Sequence, residues 1–264
     1  MKYNEFPSLD NLLDEDLILV QEASTLAIKK VKLSTLKQYI GVSSGGSVGS
    51  IKDEILKDNP VGYWQLDELS GNTANNLGSG MSNGTYSNVL LGQPSLATGS
   101  LYSAKFNNSN SVLNFTNTIL NANTDITIEL AINITSANIN GLFMSLGNAY
   151  QIGLGISGGG DSNSPGNYLL GIAGNVVWRP TYKNIGLGNH HLAMNYKGSS
   201  NKEWLFYIDG FLVSTLGAAT IQTPNSVGNI GSFGNGVLTL AQVAVYNKSL
   251  SPNRILNHAN TIVY

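Results

Sequence analysis

The amino-acid sequence predicts an all-β protein dominated by an antiparallel two-sheet sandwich, with a small α+β unit in front of it. Three observations lead to this class. From Val61 onward, short runs of alternating apolar and polar residues are separated by clusters of Gly, Asn and Ser, a pattern typical of sandwiches and barrels. Residues 41–50 read GVSSGGSVGS, a composition that favours a flexible linker. Residues 1–40, which precede the linker, are too few to bury a core alone.

The N-terminal unit, residues 1–40, is predicted to contain two short strands and a helix. Residues 17–20 form an apolar run and residues 27–33 form a second short run, so the two would pair as a hairpin. Ser34 is suited to begin a short helix, and Gly41 is suited to end it. Because a unit of this size needs an oligomer or a docking surface for stability, we expect it to serve in attachment or oligomerisation.

The sandwich, residues 51–264, is predicted to carry a short helix at each end. Ser50 is suited to cap the first helix. Ser251-Pro252 is suited to open the last helix, with Pro252 at its first position, and this helix runs to Ala259. Asp209-Gly210 predicts a tight hairpin turn, because both residues tolerate a positive φ. The predicted strands between the helices include residues 104–106, 125–134, 141–146, 150–156, 168–172, 190–196, 203–208, 211–216 and 240–246.

Charge is scarce, and its balance excludes several partners. Charged residues make up 11% of the chain and the formal net charge is −2, so no basic surplus is present for nucleic acid or an anionic membrane. The chain has no cysteine, which excludes disulfides and thiolate metal sites. Its first 19 residues include five acids and do not resemble an export signal. We therefore expect synthesis in a cytoplasm, without nucleic-acid binding or membrane insertion.

The acidic residues of the sandwich do not form a recognisable catalytic pair. Asp67 and Glu68 are adjacent and would point to opposite faces of a strand, so they could not act together on one substrate. Glu68 is predicted to accept hydrogen bonds in a turn instead. Asp125 and Glu129 share a strand face with Thr127 between them, which predicts a solvated side. We therefore expect that the protein is not an enzyme.

The histidines and polar loops do not form a metal motif. His190 and His191 are adjacent, so strand alternation directs only one of them inward, where a structural role is expected. His258 is isolated in the sequence. The loop around Asp161 reads SGGGDSNS and could offer oxygens to Ca²⁺, although it holds a single acid. No cofactor or metal is predicted, with Ca²⁺ as the open alternative.

Aromatic residues in the middle of the sandwich are the predicted ligand-binding residues. Sugar recognition needs aromatic faces for stacking and polar groups for fixed hydrogen bonds. The segment WRPTY at 178–182 offers both, and ordinary packing or a contact between subunits is the alternative use of these side chains. The predicted ligand-binding residues are Tyr150, Tyr168, Trp178, Arg179 and Tyr182.

Six segments of the sandwich resemble the laminin-G-like, concanavalin A-type lectin and glucanase family. The resemblance covers residues 52–259, and it implies a two-sheet jelly roll, a fold that binds ligands far more often than it catalyses reactions. The same fold carries unrelated functions, so the resemblance does not name a ligand. The segments are ILKDNPVGYWQLDELSG at 55–71, KFNNS at 105–109, DITIEL at 125–130, HHLAMNY at 190–196, WLFYIDG at 204–210 and LAQVAVYNKSLSP at 240–252.

Residues 1–40 resemble the N-terminal segment of phage tail-fibre and head-fibre proteins. The resemblance rests on Pro7, Leu9, the acids Asp14 and Asp16, and the run KVKLSTLKQYI at 30–40. It implies a virion structural protein that binds other virion proteins through residues 1–40, assembles as a homotrimer and displays the sandwich to a host-surface glycan. A bacterial surface carbohydrate-binding module and a purely structural virion decoration protein are the alternatives. Head and tail location are both open.

Overall fold

A computed structural model describes most of the sandwich and two short strands of the N-terminal unit. The described residues are 17–21, 28–32, 50–107, 110–117, 120, 123–136, 139–147, 152–157, 167–173, 177–217, 221, 223–231 and 237–263. The chain divides into two units, Met1–Val48 and Gly49–Tyr264.

The N-terminal unit contains the two predicted strands. Strand β1 (Leu17–Gln21) pairs antiparallel with β2 (Ile28–Lys32), and Leu19 lies opposite Lys30. The predicted helix over 34–40 and the linker over 41–50 lie outside the described residues, apart from Ser50. The attachment role of residues 1–40 stays a prediction.

The second unit holds two short helices and sixteen strands among its described residues. The helices are α1 (Ile51–Lys57) and α2 (Pro252–Ala259). The strands are β3 (Gly62–Trp64), β4 (Thr73–Ala74), β5 (Gly84–Ser87), β6 (Val89–Pro94), β7 (Tyr102–Phe106), β8 (Val112–Thr116), β9 (Asp125–Ile134), β10 (Gly141–Leu146), β11 (Ile152–Ser157), β12 (Asn167–Ala173), β13 (Val177–Ile185), β14 (Gly188–Lys197), β15 (Trp204–Ile208), β16 (Phe211–Leu216), β17 (Val227–Gly231) and β18 (Leu238–Tyr246).

These strands form two antiparallel eight-stranded sheets, which confirms the predicted all-β class. Sheet one has the order β13-β12-β11-β10-β17-β8-β5-β4. Sheet two has the order β16-β15-β14-β9-β18-β7-β6, with β3 also paired to β18. The predicted turn at Asp209-Gly210 joins β15 to β16, with φ values of 52° and 82°. Ser50 and Ser251 cap the two helices as predicted, since each hydroxyl accepts a hydrogen bond from the backbone N–H three residues later.

The main core lies between the sheets and is built from the alternating apolar residues of both. Trp64 on β3 is fully buried there, and its ring centroid lies 4.2 Å from that of Phe115 on β8. Sheet one contributes Leu113 and Ile230, and sheet two contributes Ile128 and Leu130. One face of each sheet forms this core. The two sheets differ in what covers the other face.

The outer face of sheet two is covered by α1 and α2. Ile51 and Ile55 of α1 and Ile255 of α2 are buried against it. The sheet presents small residues beneath the helices, namely Ala131, Ala193, Ala241 and Ala244, all of them buried. Small side chains let a helix backbone approach a sheet closely, so a second apolar cluster forms outside the sandwich core.

This cover makes one sequence-based expectation wrong. Thr127 and Glu129 were expected on a solvated side of β9, yet both have a relative exposure of 0%. The alternation of β9 does place them on the outer face of sheet two, but α2 and the segment leading to it lie over that face, and Thr127 Oγ1 donates to the carbonyl oxygen of Lys248 at 2.7 Å. The acid is therefore buried under a helix.

Sheet one shows the opposite arrangement on the part formed by β4, β5, β8 and β17. Residues alternate between buried and accessible along β5 and β8, with Tyr86, Leu113 and Phe115 buried. Thr85, Asn114 and Thr116 between them are exposed. This half of sheet one therefore has one face in the core and one face accessible to solvent.

Candidate ligand-binding face and a buried acid–histidine cluster

The predicted binding residues fall on the edge of sheet one, as far as the structure describes them. Tyr150 lies outside the described residues. Tyr168 belongs to β12, and Trp178, Arg179 and Tyr182 belong to β13, the outermost strand of sheet one. The predicted strands did not include residues 178–182, yet these residues belong to β13. Pro180 is compatible with β13 because an edge strand leaves backbone groups unpaired on one side.

Tyr182 is the one predicted residue whose side chain is described. It is 69% exposed, and its φ is 53°, next to a register irregularity between β12 and β13. Thr181 beside it is buried and donates to the carbonyl oxygen of Leu169 at 2.7 Å. The anchored threonine holds the strand while the tyrosine projects into solvent. A ligand-binding role for the five predicted residues stays a prediction.

A transverse row of residues in direct register connects this edge to the accessible half of sheet one. The row passes through all eight strands without a register shift, one residue for each strand. At strand spacings of about 4.8 Å it spans roughly 34 Å. Its members are, in order, Thr73, Thr85, Asn114, Asn229, Ser145, Gly153, Ile172 and Trp178.

The first four positions of the row form an accessible polar surface, which we call the amide face: Thr73, Thr85, Asn114 and Asn229. The two asparagines lie opposite each other on β8 and β17, and Asn229 Nδ2 donates to Asn114 Oδ1 at 2.5 Å. Asn229 is half-buried and the other three residues are exposed. Further along the row, Ser145 is buried, so accessibility ends at β10.

The strands that carry the amide face contain no charged residue. β4, β5, β8 and β17 read TA, GTYS, VLNFT and VGNIG. Across the other four strands of sheet one, the charged residues are Arg179 and Lys183, both on β13. A ligand on this face would meet amides, hydroxyls and apolar surface.

The most unusual chemistry lies under the helices, where Glu129 is buried at 0% relative exposure. His258 Nδ1 of α2 lies 2.9 and 3.0 Å from the two carboxylate oxygens. His191 Nε2 of β14 lies 3.2 Å from Oε2, and the hydroxyl of Tyr246 on β18 donates to Oε1. Residues on three elements therefore form hydrogen bonds with this buried carboxylate, as a buried charge requires.

The same cluster joins the two helices to each other. Arg254 of α2 donates from Nε to Asp58 Oδ2 at 2.7 Å and from Nη2 to the carbonyl oxygen of Glu54 at 2.8 Å. His258 Nε2 lies 3.2 Å from Asp58 Oδ2. His258 is isolated in the sequence, and only the fold brings residues 54, 129 and 258 together. Of the pair His190 and His191, His191 is the buried one, and it lies on the outer face of sheet two opposite Ala131.

Opposing effects act on the pKa of the groups in the cluster. Burial raises the pKa of Glu129, but attraction to His258 and hydrogen bonds from both histidines outweigh it and hold the pKa well below its usual range. Burial lowers the pKa of His258, but Glu129 outweighs it and the net pKa is raised. Near the N-terminal end of β14, His190 Nδ1 lies 2.9 Å from Asp209 Oδ2, and this hydrogen bond raises the pKa of His190.

We expect these groups to give the sandwich a stability maximum at mildly acidic pH. The lowered pKa of Glu129 stabilises the fold above about pH 4.5, the ordinary pKa of a glutamate, and this stabilisation is lost as the pH falls. The raised pKa of His258 stabilises the fold fully below about pH 6.5. This stabilisation is lost as the pH rises through the pKa that His258 has in the folded protein. Urea unfolding between pH 3 and 9 should show this maximum, and His258→Gln should flatten the alkaline side. A free energy that rises steadily to pH 9 would contradict the assignment.

Glu68, outside this cluster, has a structural role. Glu68 accepts from the backbone N–H of Asn75 at 2.9 Å and from the hydroxyl of Tyr86 at 2.7 Å, which confirms its predicted role in a turn.

Within the described ranges, no group of three or more acidic or histidine side chains is arranged to hold a metal ion. The loop around Asp161 lies outside them. None of the described helices is long and apolar enough to cross a membrane.

Comparison with solved structures finds the fold of the sandwich in binding domains of toxins. The sequence matches no family model and no curated protein. The binding domain of botulinum neurotoxin serotype D/C superposes with a TM-score of 0.57 at 13% identity, covering 79% of this chain and 53% of that one. The binding domain of Paraclostridial Mosquitocidal Protein 1 gives 0.54 at 17% identity, covering 78% of this chain and 52% of that one.

A third similar structure contains a bound sugar. It is the ligand-binding domain of botulinum neurotoxin serotype D in complex with N-acetylneuraminic acid, with a TM-score of 0.54 at 12% identity, covering 78% of this chain and 52% of that one. The chain thus spans about half the length of these domains. At such identities the likeness concerns the fold: the second unit of this chain has the β-sandwich fold found in these binding domains.

Proposed function

We propose that this chain is a subunit of a virion fibre or spike whose β-sandwich binds a glycan on the host surface. The observation that carries the binding role is the asymmetry of the two sheets. Helices cover part of the outer face of sheet two, whereas sheet one keeps an accessible, uncharged face of amides and hydroxyls. Many glycans are neutral and rich in hydroxyls, and such a face matches their hydrogen-bonding groups.

Binding is favoured over catalysis by the position of the acid–histidine cluster. Glu129, His191 and His258 are the residue types that general acid–base catalysis uses, yet their relative exposures are 0%, 2% and 0%. A substrate could not reach them without displacement of α2. Two structures with a similar fold support a sugar ligand, since one is a complex with N-acetylneuraminic acid and the other, of botulinum neurotoxin type C, concerns cell entry through two ganglioside molecules.

A glycan array probed with the full-length chain tests the binding role. We expect binding to one or more glycans, and we expect Trp178→Ala to weaken it by roughly three- to tenfold, the size of one aromatic contact. Phe211→Ala is the matched control, because Phe211 is an exposed aromatic on β16, the edge strand of sheet two. Equal effects of the two substitutions would show that Trp178 has no special role.

The virion role rests on the sequence of residues 1–40 and on the Gly/Ser-rich linker. Three sandwiches on one fibre would raise the avidity of a weak single-site interaction. Light scattering of the purified chain should give a trimer, and immunogold microscopy should place the chain on virus particles. A monomer that never associates with particles would favour a bacterial carbohydrate-binding module. Unchanged adsorption after deletion of the sandwich would favour a decoration protein.

A further inference from the structure

The amide face also indicates which class of glycan would bind, an inference that rests on the proposed function. We propose that sheet one takes a neutral oligosaccharide that lies across the strands, with the Asn114–Asn229 pair as its central hydrogen-bonding site. The argument depends on the hydrogen bonds that this pair leaves unused, on its neighbours and on the charge of the surface.

The amide pair has one unused donor and one unused acceptor. Asn229 Nδ2 donates to Asn114 Oδ1, and this contact fixes the orientation of both side chains. Asn114 Nδ2 and Asn229 Oδ1 have no partner among the described residues. An amide donor and an amide acceptor side by side match two neighbouring hydroxyls of a sugar, because a hydroxyl both donates and accepts.

The neighbours of the pair extend the site across the sheet. Thr85 lies directly opposite Asn114 on β5, and Thr116 lies two residues along β8. Both threonines are exposed, and neither hydroxyl has a partner among the described residues. Val227, opposite Thr116, is 38% exposed and adds an apolar contact. Polar groups thus recur at the strand spacing, which favours an extended chain over a single sugar.

The absence of charge selects the ligand. A sialylated or sulfated glycan gains most from arginine or lysine, which form charge-assisted hydrogen bonds with acidic groups. The four strands of the amide face carry no charged residue. Neutral hydrogen bonds from rigidly held amides are then the main source of specificity, so a neutral ligand fits the face best.

A second asparagine pair provides a matched control. On the outer face of sheet two, Asn133 Nδ2 donates to Asn189 Oδ1 at 2.6 Å, again between directly paired residues. Asn133 and Asn229 are each the donor of such a contact, and each is half-buried. Asn133→Ala and Asn229→Ala therefore each remove one amide–amide hydrogen bond. Only Asn229→Ala alters the amide face.

The test measures binding of defined sugars to the full-length chain by calorimetry. The neutral probes are maltohexaose, chitohexaose and mannohexaose, and the charged probes are 3′-sialyllactose and a heparin hexasaccharide. We expect binding of a neutral probe that Asn229→Ala weakens roughly tenfold, that Thr85→Ala weakens less, and that Asn133→Ala leaves unchanged. Thermal melting of each variant confirms that it is folded.

Two results would overturn the ligand assignment and leave the proposed glycan binding intact. One is binding of charged probes only. The other is binding of a neutral probe that Trp178→Ala weakens and Asn229→Ala does not. Absence of binding to every probe, together with an empty glycan array, would instead overturn the proposed function and this inference with it.

Discussion

Replacement of Glu129 by Ala should lower the free energy of unfolding of the sandwich by about 3–5 kcal/mol, the usual cost of breaking a buried ion pair. The carboxylate is the shared partner of His191, His258 and Tyr246. Without it, the polar atoms of three buried side chains lose their partner beneath α2. We also expect α2 to become more accessible to proteolysis, because His258 is one of its contacts with sheet two.

Glu203→Gln is the control for this experiment. Glu203 is half-exposed immediately before β15. We therefore expect Glu203→Gln to change the free energy of unfolding of the protein by no more than about 0.5 kcal/mol. Urea unfolding at pH 6 measures both variants. If Glu129→Ala cost less than about 1 kcal/mol, the buried cluster would not be what holds the helices on the sheet.

Replacement of Trp64 by Ala should have an effect of similar size through a different mechanism. The indole fills the core between the sheets, 4.2 Å from the ring of Phe115. Removing it leaves a large cavity, for which about 3–5 kcal/mol is typical. Trp64 Nε1 has no hydrogen-bond partner in the described part of the chain, so Trp64→Phe removes an unsatisfied donor as well as volume.

The two variants at this position separate packing from polarity. We expect Trp64→Phe to cost clearly less than Trp64→Ala, because most of the ring contact is kept and the buried N–H is gone. Thermal and urea unfolding of both proteins provide the comparison. An equal loss in the two variants would mean that the indole nitrogen forms a stabilising contact.

Local signals in the sequence predicted much of the fold. The helix caps at Ser50 and Ser251 and the turn at Asp209-Gly210 depend on residues adjacent in the chain, and all three are confirmed. The alternation of β9 gave its bounds, 125–134, and its inner face. Strand β13 was not predicted, because the polar residues and Pro180 of an edge strand look like a loop.

The two candidate sites depend on long-range contacts that periodicity does not encode. Asn114 and Asn229 are 115 residues apart, and their strands become neighbours only through the topology of sheet one. Glu129 and His258 are 129 residues apart. Alternation correctly placed Glu129 on the outer face of its strand, but only the packing of α2 determines that this face is buried.

A crystal structure of the full-length chain with its tightest-binding oligosaccharide tests the central claim most directly. We predict sugar density over the amide face, with hydrogen bonds to Asn114 Nδ2 and Asn229 Oδ1 and with the sugar chain lying across the strands that carry this face. Density on the outer face of sheet two, or at a position that contacts neither the amide face nor β13, would contradict the claim that the accessible face of sheet one is the binding surface.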